Sequence, residues 1–104
     1  ILRSVQRARE LHPDLEIEVE IDSLDDLDVA LESGAEYILL DNMNNDLVRE
    51  AVVRTAGRAR LEASGNITLE RIESLSETGV DFASSGALTH SVRSRDISMD
   101  IRIP

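Results

Sequence analysis

The chain has 104 residues, 41% of them hydrophobic, a size that supports one compact core and gives no sign of a second domain. It contains no cysteine, which excludes disulfides and thiolate metal sites, and no apolar run long enough for a transmembrane span or a secretory signal. A formal net charge of -10 disfavours nucleic acid and anionic membrane as partners, and a reducing, cytoplasmic setting is the expectation.

Every basic residue is arginine, so an enzyme that needs a lysine must take it from elsewhere. Adaptation to high salt and plain codon bias both account for an acidic, lysine-free surface. Position 1 is Ile rather than Met and opens straight into a helical pattern, as expected of a segment cut from a longer chain.

That first helix carries Leu2, Val5, Ala8 and Leu11 on one stripe and is stopped by His12, Pro13 and Asp14, with His12 at the surface. Residues 16–21 alternate, with Ile17, Val19 and Ile21 on one side and Glu16, Glu18 and Glu20 on the other, which is a strand. Ser23 followed by Asp26 caps a helix carrying Leu24, Leu27, Ala30 and Leu31, ended by Gly34. A strand over 37–41 follows. Asn44 or Asn45 then caps a helix whose apolar face is Leu47, Val48, Ala51 and Val52 and whose stop is Gly57. The next strand covers 59–64. Thr68 caps a helix with Leu69, Ile72 and Leu75 inward and Gly79 at its end, and a fourth strand covers 80–85. Residues 89–93 form a short turn, and 97–103 a final extended segment.

Helices alternating with strands through short connections predict an α/β fold, a parallel sheet of right-handed βα repeats. Ligands of such sheets bind at the C-terminal ends of the strands. The predicted last residues are Glu20, Asp41, Ser64 and Ser85, all polar. Glu20 and Asp41 place two carboxylates at one rim, a pair suited to Mg²⁺ or to the vicinal hydroxyls of a sugar. The competing role for each is pairing with arginine or capping the following helix.

Ser64-Gly65-Asn66 and Ser84-Ser85-Gly86-Ala87 put small residues after the last two strands, where backbone N–H groups approach a phosphate closely. His90, four residues past Gly86, is placed to donate to that phosphate, with a packing role in the short turn as the alternative. On the face shared with the rim residues lie Glu18, Arg60 and Glu62. Arg60 is expected to neutralise one of the two glutamates there, since a buried carboxylate row is costly without a partner.

Several stretches together resemble the quinolinate phosphoribosyltransferase family: Glu-Val-Glu-Ile-Asp-Ser-Leu from Glu18, Ile-Leu-Leu-Asp-Asn-Met from Ile38, Leu-Glu-Ala-Ser-Gly-Asn-Ile from Leu61, Thr-Gly-Val-Asp-Phe from Thr78, Ser-Gly-Ala-Leu-Thr-His-Ser from Ser85 and Asp-Ile-Ser-Met-Asp from Asp96. They span nearly the whole chain in order. The resemblance implies the C-terminal portion of a phosphoribosyl-binding, TIM-like open α/β barrel, with an N-terminal sandwich domain and the first part of the barrel absent here. It also implies Mg²⁺-dependent transfer of phosphoribosyl from phosphoribosyl pyrophosphate to quinolinate, with loss of pyrophosphate and CO₂, to give nicotinate mononucleotide.

Glu20 and Asp41 would then hold the ribose hydroxyls and Mg²⁺. Ser64, Gly65 and Asn66, together with Ser85, Gly86, Ala87 and His90, would hold the 5′-phosphate. Where many family members have a second Gly, this chain has Asn66. The basic residues that grip the quinolinate carboxylates, including a Lys in a Lys-Asp-Asn-His motif, precede the corresponding region in the family. Homodimers are expected, and the isolated chain is expected to be inactive. The alternatives are a related barrel phosphoribosyltransferase of different base specificity and a non-catalytic half-barrel scaffold, whose open sheet edges would drive self-association.

Overall fold

A computed structural model describes residues 1–65 and 67–84. The elements run α1 (Leu2–Leu11), β1 (Glu18–Ile21), a 3₁₀ turn (Leu24–Asp26), α2 (Leu27–Glu32), β2 (Tyr37–Asp41), α3 (Asn45–Thr55), β3 (Arg60–Ser64), α4 (Leu69–Ser76) and β4 (Phe82–Ser84). The four strands are parallel and lie in chain order, β1-β2-β3-β4. Strand order that never reverses distinguishes this sheet from a doubly wound one and is the arrangement of successive βα units around a barrel.

Local chemistry explains the boundaries. Proline disfavours a helical conformation in the residue before it, and His12, preceding Pro13, leaves the helix at φ -141 and ψ 70. Asn44 caps α3 by accepting from Leu47 N–H (2.9 Å), and Thr68 caps α4 by accepting from Arg71 N–H (3.1 Å). The predicted helix over 24–34 begins as a 3₁₀ turn because Ser23 Oγ accepts from Asp25 N–H (3.1 Å), which tightens the entry. The stop of α3 uses two left-handed residues, Ala56 at φ 49 and Gly57 at φ 79, where the sequence points to the glycine alone. β1 and β4 begin later than predicted, at Glu18 and Phe82; Asp81, expected inside the fourth strand, instead accepts from Leu61 N–H through its carboxylate (2.8 Å) and so closes the turn into β4.

The core occupies one side of the sheet. Val19, Ile21, Ile38, Leu40, Leu61 and Ala63 form a single buried cluster with Val5, Ala8, Leu27, Leu31, Val48 and Leu75 of the helices. Each such Leu, Ile or Val contributes about 1.5–3 kcal/mol by leaving water. The helices therefore cover one face, and the opposite face is free to carry other chemistry. Among the described residues no helix is long and apolar enough to cross a membrane.

Within this core Thr55 is buried, and its hydroxyl has no hydrogen-bond partner among the described residues. It borders a cavity of about 260 Å³ with Val52, Gly57, Leu61 and Gly79. An unsatisfied buried hydroxyl costs roughly 1–3 kcal/mol. Thr55→Val is expected to raise stability by about 1 kcal/mol, read as a higher urea midpoint at unchanged slope; a lower midpoint would mean that the hydroxyl is satisfied.

Candidate functional site

The face opposite the helices is built in rows by the strand register. Glu18, Tyr37 and Arg60 stand in the lowest row, Glu20, Leu39, Glu62 and Phe82 in the next, and Asp41, Ser64 and Ser84 at the C-terminal rim. Apolar groups stand among these carboxylates: Leu39 is buried outside the main cluster, and the rings of Tyr37 and Phe82 approach to 6.2 Å between centroids. Every described residue of the rim row above them, Asp41, Ser64 and Ser84, carries a side-chain oxygen.

Two expectations need correcting. Glu20 is not level with Asp41, because β1 ends at Ile21 and the ladder pairs Glu20 with Leu39. The two carboxylates share a face but lie one row apart, which places their Cα atoms about 8 Å from each other by strand spacing and rise.

Arg60 neutralises neither Glu18 nor Glu62. It is exposed at the first position of β3, and none of the ion pairs found among the described residues includes it. Water solvates a guanidinium at a strand end, which removes the drive to pair. Glu62 is satisfied differently, accepting a hydrogen bond from Ser84 Oγ (2.6 Å).

At the rim the half-buried Asp41 accepts a hydrogen bond from Ser64 Oγ at 3.3 Å, joining the ends of β2 and β3. The following loops touch. Asn42 N–H donates to the Ser64 carbonyl (2.8 Å), and Asn42 takes a left-handed φ of 58, a conformation asparagine tolerates. Gly65 at φ 87 packs so closely that a Cβ there would lie 3.1 Å from both Cα and N of Asn42. The Asp-Asn-Met and Ser-Gly segments thus form one joined ridge, in which Asn42 occupies the space that a side chain at Gly65 would need. Asn66, Ser85, Gly86, Ala87 and His90, the short turn over 89–93 and the extended segment over 97–103 lie outside the described residues.

A further residue, unremarked in the sequence, joins the same ridge. Arg71 donates through Nε to Asn45 Oδ1 (2.9 Å), and through its terminal nitrogens to the carbonyl oxygens of Gly65 (3.2 Å) and Met43. A cavity of about 450 Å³ lies here, lined by Asn42, Met43, Asn44, Asn45 and Arg71, and neither Glu20 nor Asp41 lines it. The signal for Arg71 was available: a cation in the first turn of a helix opposes the helix dipole, so a tertiary partner is required to explain it.

Compared with known proteins, residues 1–100 match the family described as quinolinate phosphoribosyl transferase, C-terminal domain. A relative from Bacillus subtilis named probable nicotinate-nucleotide pyrophosphorylase [carboxylating] is 42% identical over 99% of this chain and 36% of its own length. One from Mycobacterium leprae, nicotinate-nucleotide pyrophosphorylase [carboxylating], is 42% identical over 97% and 37%; one from Arabidopsis thaliana, 43% identical over 85% and 30%, is named chloroplastic. The solved nicotinate-nucleotide pyrophosphorylase of Francisella tularensis superimposes with a TM-score of 0.81 at 36% identity, covering 92% of this chain and 35% of that one. The chain spans about a third of the length of these relatives. Its βα repeats therefore form part of a TIM-like α/β barrel, and the chain belongs to the quinolinate phosphoribosyl transferase family as a match to its C-terminal domain.

Proposed function

We propose that this chain is the phosphoribosyl-binding side of an enzyme that transfers phosphoribosyl from phosphoribosyl pyrophosphate to quinolinate, releasing pyrophosphate and CO₂ and giving nicotinate mononucleotide. The observation that carries the proposal is the joined ridge at the rim: the Asp41 carboxylate accepts from Ser64, and Gly65, left-handed at φ 87, lets the exit of β3 pack directly against the backbone of Asn42. A sugar phosphate asks for an acceptor for its hydroxyls beside loop N–H groups for its phosphate, and the ridge joins the two loops that would supply them. Membership of the family supports the same reading.

In this reading Glu20 and Asp41 accept hydrogen bonds from the ribose hydroxyls and stabilise the positive charge that develops on the sugar as pyrophosphate departs. Ser64, Gly65 and Asn66, with Ser85, Gly86, Ala87 and His90, take the 5′-phosphate. Mg²⁺ typically binds through one or two carboxylates, with substrate phosphates and waters completing its octahedron. No three potential ligands cluster among the described residues, and the Glu20 and Asp41 pair fits that open mode of binding rather than a closed cage. When bound, Mg²⁺ would supply charge neutralisation to the departing pyrophosphate.

Quinolinate is a dianion, and the one cation among the described inward-facing strand residues is Arg60, in the lowest row. The basic residues that grip its carboxylates are therefore proposed to lie outside this chain, in the other two-thirds of the relatives' length. A homodimer and a cytoplasmic location belong to the same proposal. The 104-residue chain alone is expected to form no nicotinate mononucleotide from quinolinate, phosphoribosyl pyrophosphate and Mg²⁺, whereas a full-length enzyme containing it does. Product formation by the isolated chain would refute the division of the site, and inactivity of the full-length enzyme would refute the reaction.

A further inference from the structure

We propose that Arg71 is a positioning residue for the phosphate end of the site, a clamp that holds the β2–α3 and β3–α4 loops together behind the surface on which the 5′-phosphate rests. The proposal rests on the reading of the site given above. It deepens that reading by naming what keeps the Gly65 ridge in place.

Three observations lead to it. The first is that Arg71 occupies the first turn of α4, two residues after Leu69, where the exposed N–H groups of the helix make a cation locally unfavourable. Its placement is explained by the acceptors it reaches. The second is the identity of those acceptors: the Met43 carbonyl belongs to the exit from β2, Asn45 Oδ1 to the first residue of α3, and the Gly65 carbonyl to the exit from β3. A planar guanidinium offers five N–H donors in a fixed fork, so one side chain spans both loops without choosing between them.

The third is that the clamp is itself braced. Asn45 Nδ2 donates to Ser74 Oγ (2.8 Å), and Ser74 Oγ donates to the carbonyl of Arg71 (2.9 Å). The bonds run from the Arg71 side chain through Asn45 and Ser74 back to the Arg71 backbone. On the other side of the ridge, Asn42 N–H bonds the Ser64 carbonyl and Gly65 lies against Asn42. Among the described residues the two loops are therefore attached on both sides of the ridge. One attachment permits rotation of a loop about it, and a second removes that freedom. Without Arg71 the Gly65 ridge retains its contact with Asn42 and loses its fixed angle to the phosphate.

The test uses a full-length enzyme containing this segment, with Arg71→Gln and Arg71→Lys as variants. Both are expected to raise KM for phosphoribosyl pyrophosphate by roughly 10- to 100-fold, because displacements near 1 Å have effects of that order. KM for quinolinate and kcat are expected to stay within about threefold of the parent, well inside that range. Lysine is expected to fail as a replacement, since one ammonium group does not span acceptors on two loops. Equal rises in both KM values, or a loss confined to kcat, would reduce Arg71 to a residue that merely maintains the fold and would overturn the proposal.

Hydrogen exchange read by mass spectrometry supplies a check independent of turnover. Peptides over 42–48 and over 64–70 are expected to exchange about tenfold faster in Arg71→Gln, roughly the effect of removing 1.4 kcal/mol of local protection, while the strand segment 37–41 keeps its rate. Asn45→Ala, a milder change, is expected to move the same two peptides in the same direction. Unchanged exchange in both variants overturns the clamp even in an active enzyme. A parent enzyme that transfers no phosphoribosyl group overturns the assigned reaction instead, and the exchange data still decide whether Arg71 holds the two loops.

Discussion

Asp41→Ala in a full-length enzyme containing this segment lowers kcat by roughly 10²- to 10³-fold, the effect typical of removing one preorganised group that stabilises transition-state charge. Glu20→Ala has the same sign. The expectation follows from their placement: both carboxylates lie on the face turned away from the helical core, Asp41 in the rim row and Glu20 one row beneath. Neither belongs to the buried cluster that holds the helices to the sheet. The thermal midpoint should therefore change little while turnover collapses, a separation that steady-state kinetics and a melting curve on the same preparations will read. Unchanged kinetics in both variants would remove the pair from the mechanism.

Gly65→Ala is the second substitution with a large expected effect, and Gly57→Ala is its control. Both glycines are left-handed, at φ 87 and φ 79, so an alanine at either carries the conformational penalty of roughly 1–2 kcal/mol. They differ in surroundings. A Cβ at Gly57 meets nothing within 4 Å, whereas a Cβ at Gly65 lies 3.1 Å from two backbone atoms of Asn42. Backbone does not swing aside as a side-chain tip does, so the ridge must open. Gly65→Ala is expected to destabilise by about 1–3 kcal/mol beyond the control, the range for locally imposed strain, and to weaken binding of phosphoribosyl pyrophosphate as well. Urea midpoints of the two variants and a binding titration decide it. Equal midpoints would mean that the close approach to Asn42 carries no weight.

Much of this architecture is legible in the sequence. Tyr37–Asp41 was bounded correctly because an apolar run between Gly34 and the asparagines at 44 and 45 has room for only one strand. Asn44 and Thr68 act as helix caps because a short side-chain oxygen before an apolar-periodic run has few other roles. The stagger of β1 against β2 was not legible. Spacing between strands counts residues through a helix and two loops, and a ladder can slip by two residues without changing which side chains face inward.

Arg60 shows a related limit. Period-two parity assigned it to the correct face, but parity carries no information about its distance from solvent, and solvent decides whether a guanidinium pairs. The inward partner of Glu62 is a hydroxyl from the next strand, at Ser84, which only the register of β3 against β4 reveals. Arg71 was missed for a different reason. Its signal lies in breaking a local preference, and attention to motifs passes over residues that fit none.

Placing the helix-bearing core on one side of the sheet and the oxygen-rich rows on the other has an evolutionary consequence. Along each strand, alternate residues carry different loads: Ile38 and Leu40 pack against the helices, while Asp41 and its row-mates Ser64 and Ser84 stand on the face turned away from them. The second set can therefore differ without a change in the residues that the first set packs against. The two-residue alternation of a β-strand, a consequence of backbone pleating alone, in this way lets new specificities be explored on an unchanged scaffold.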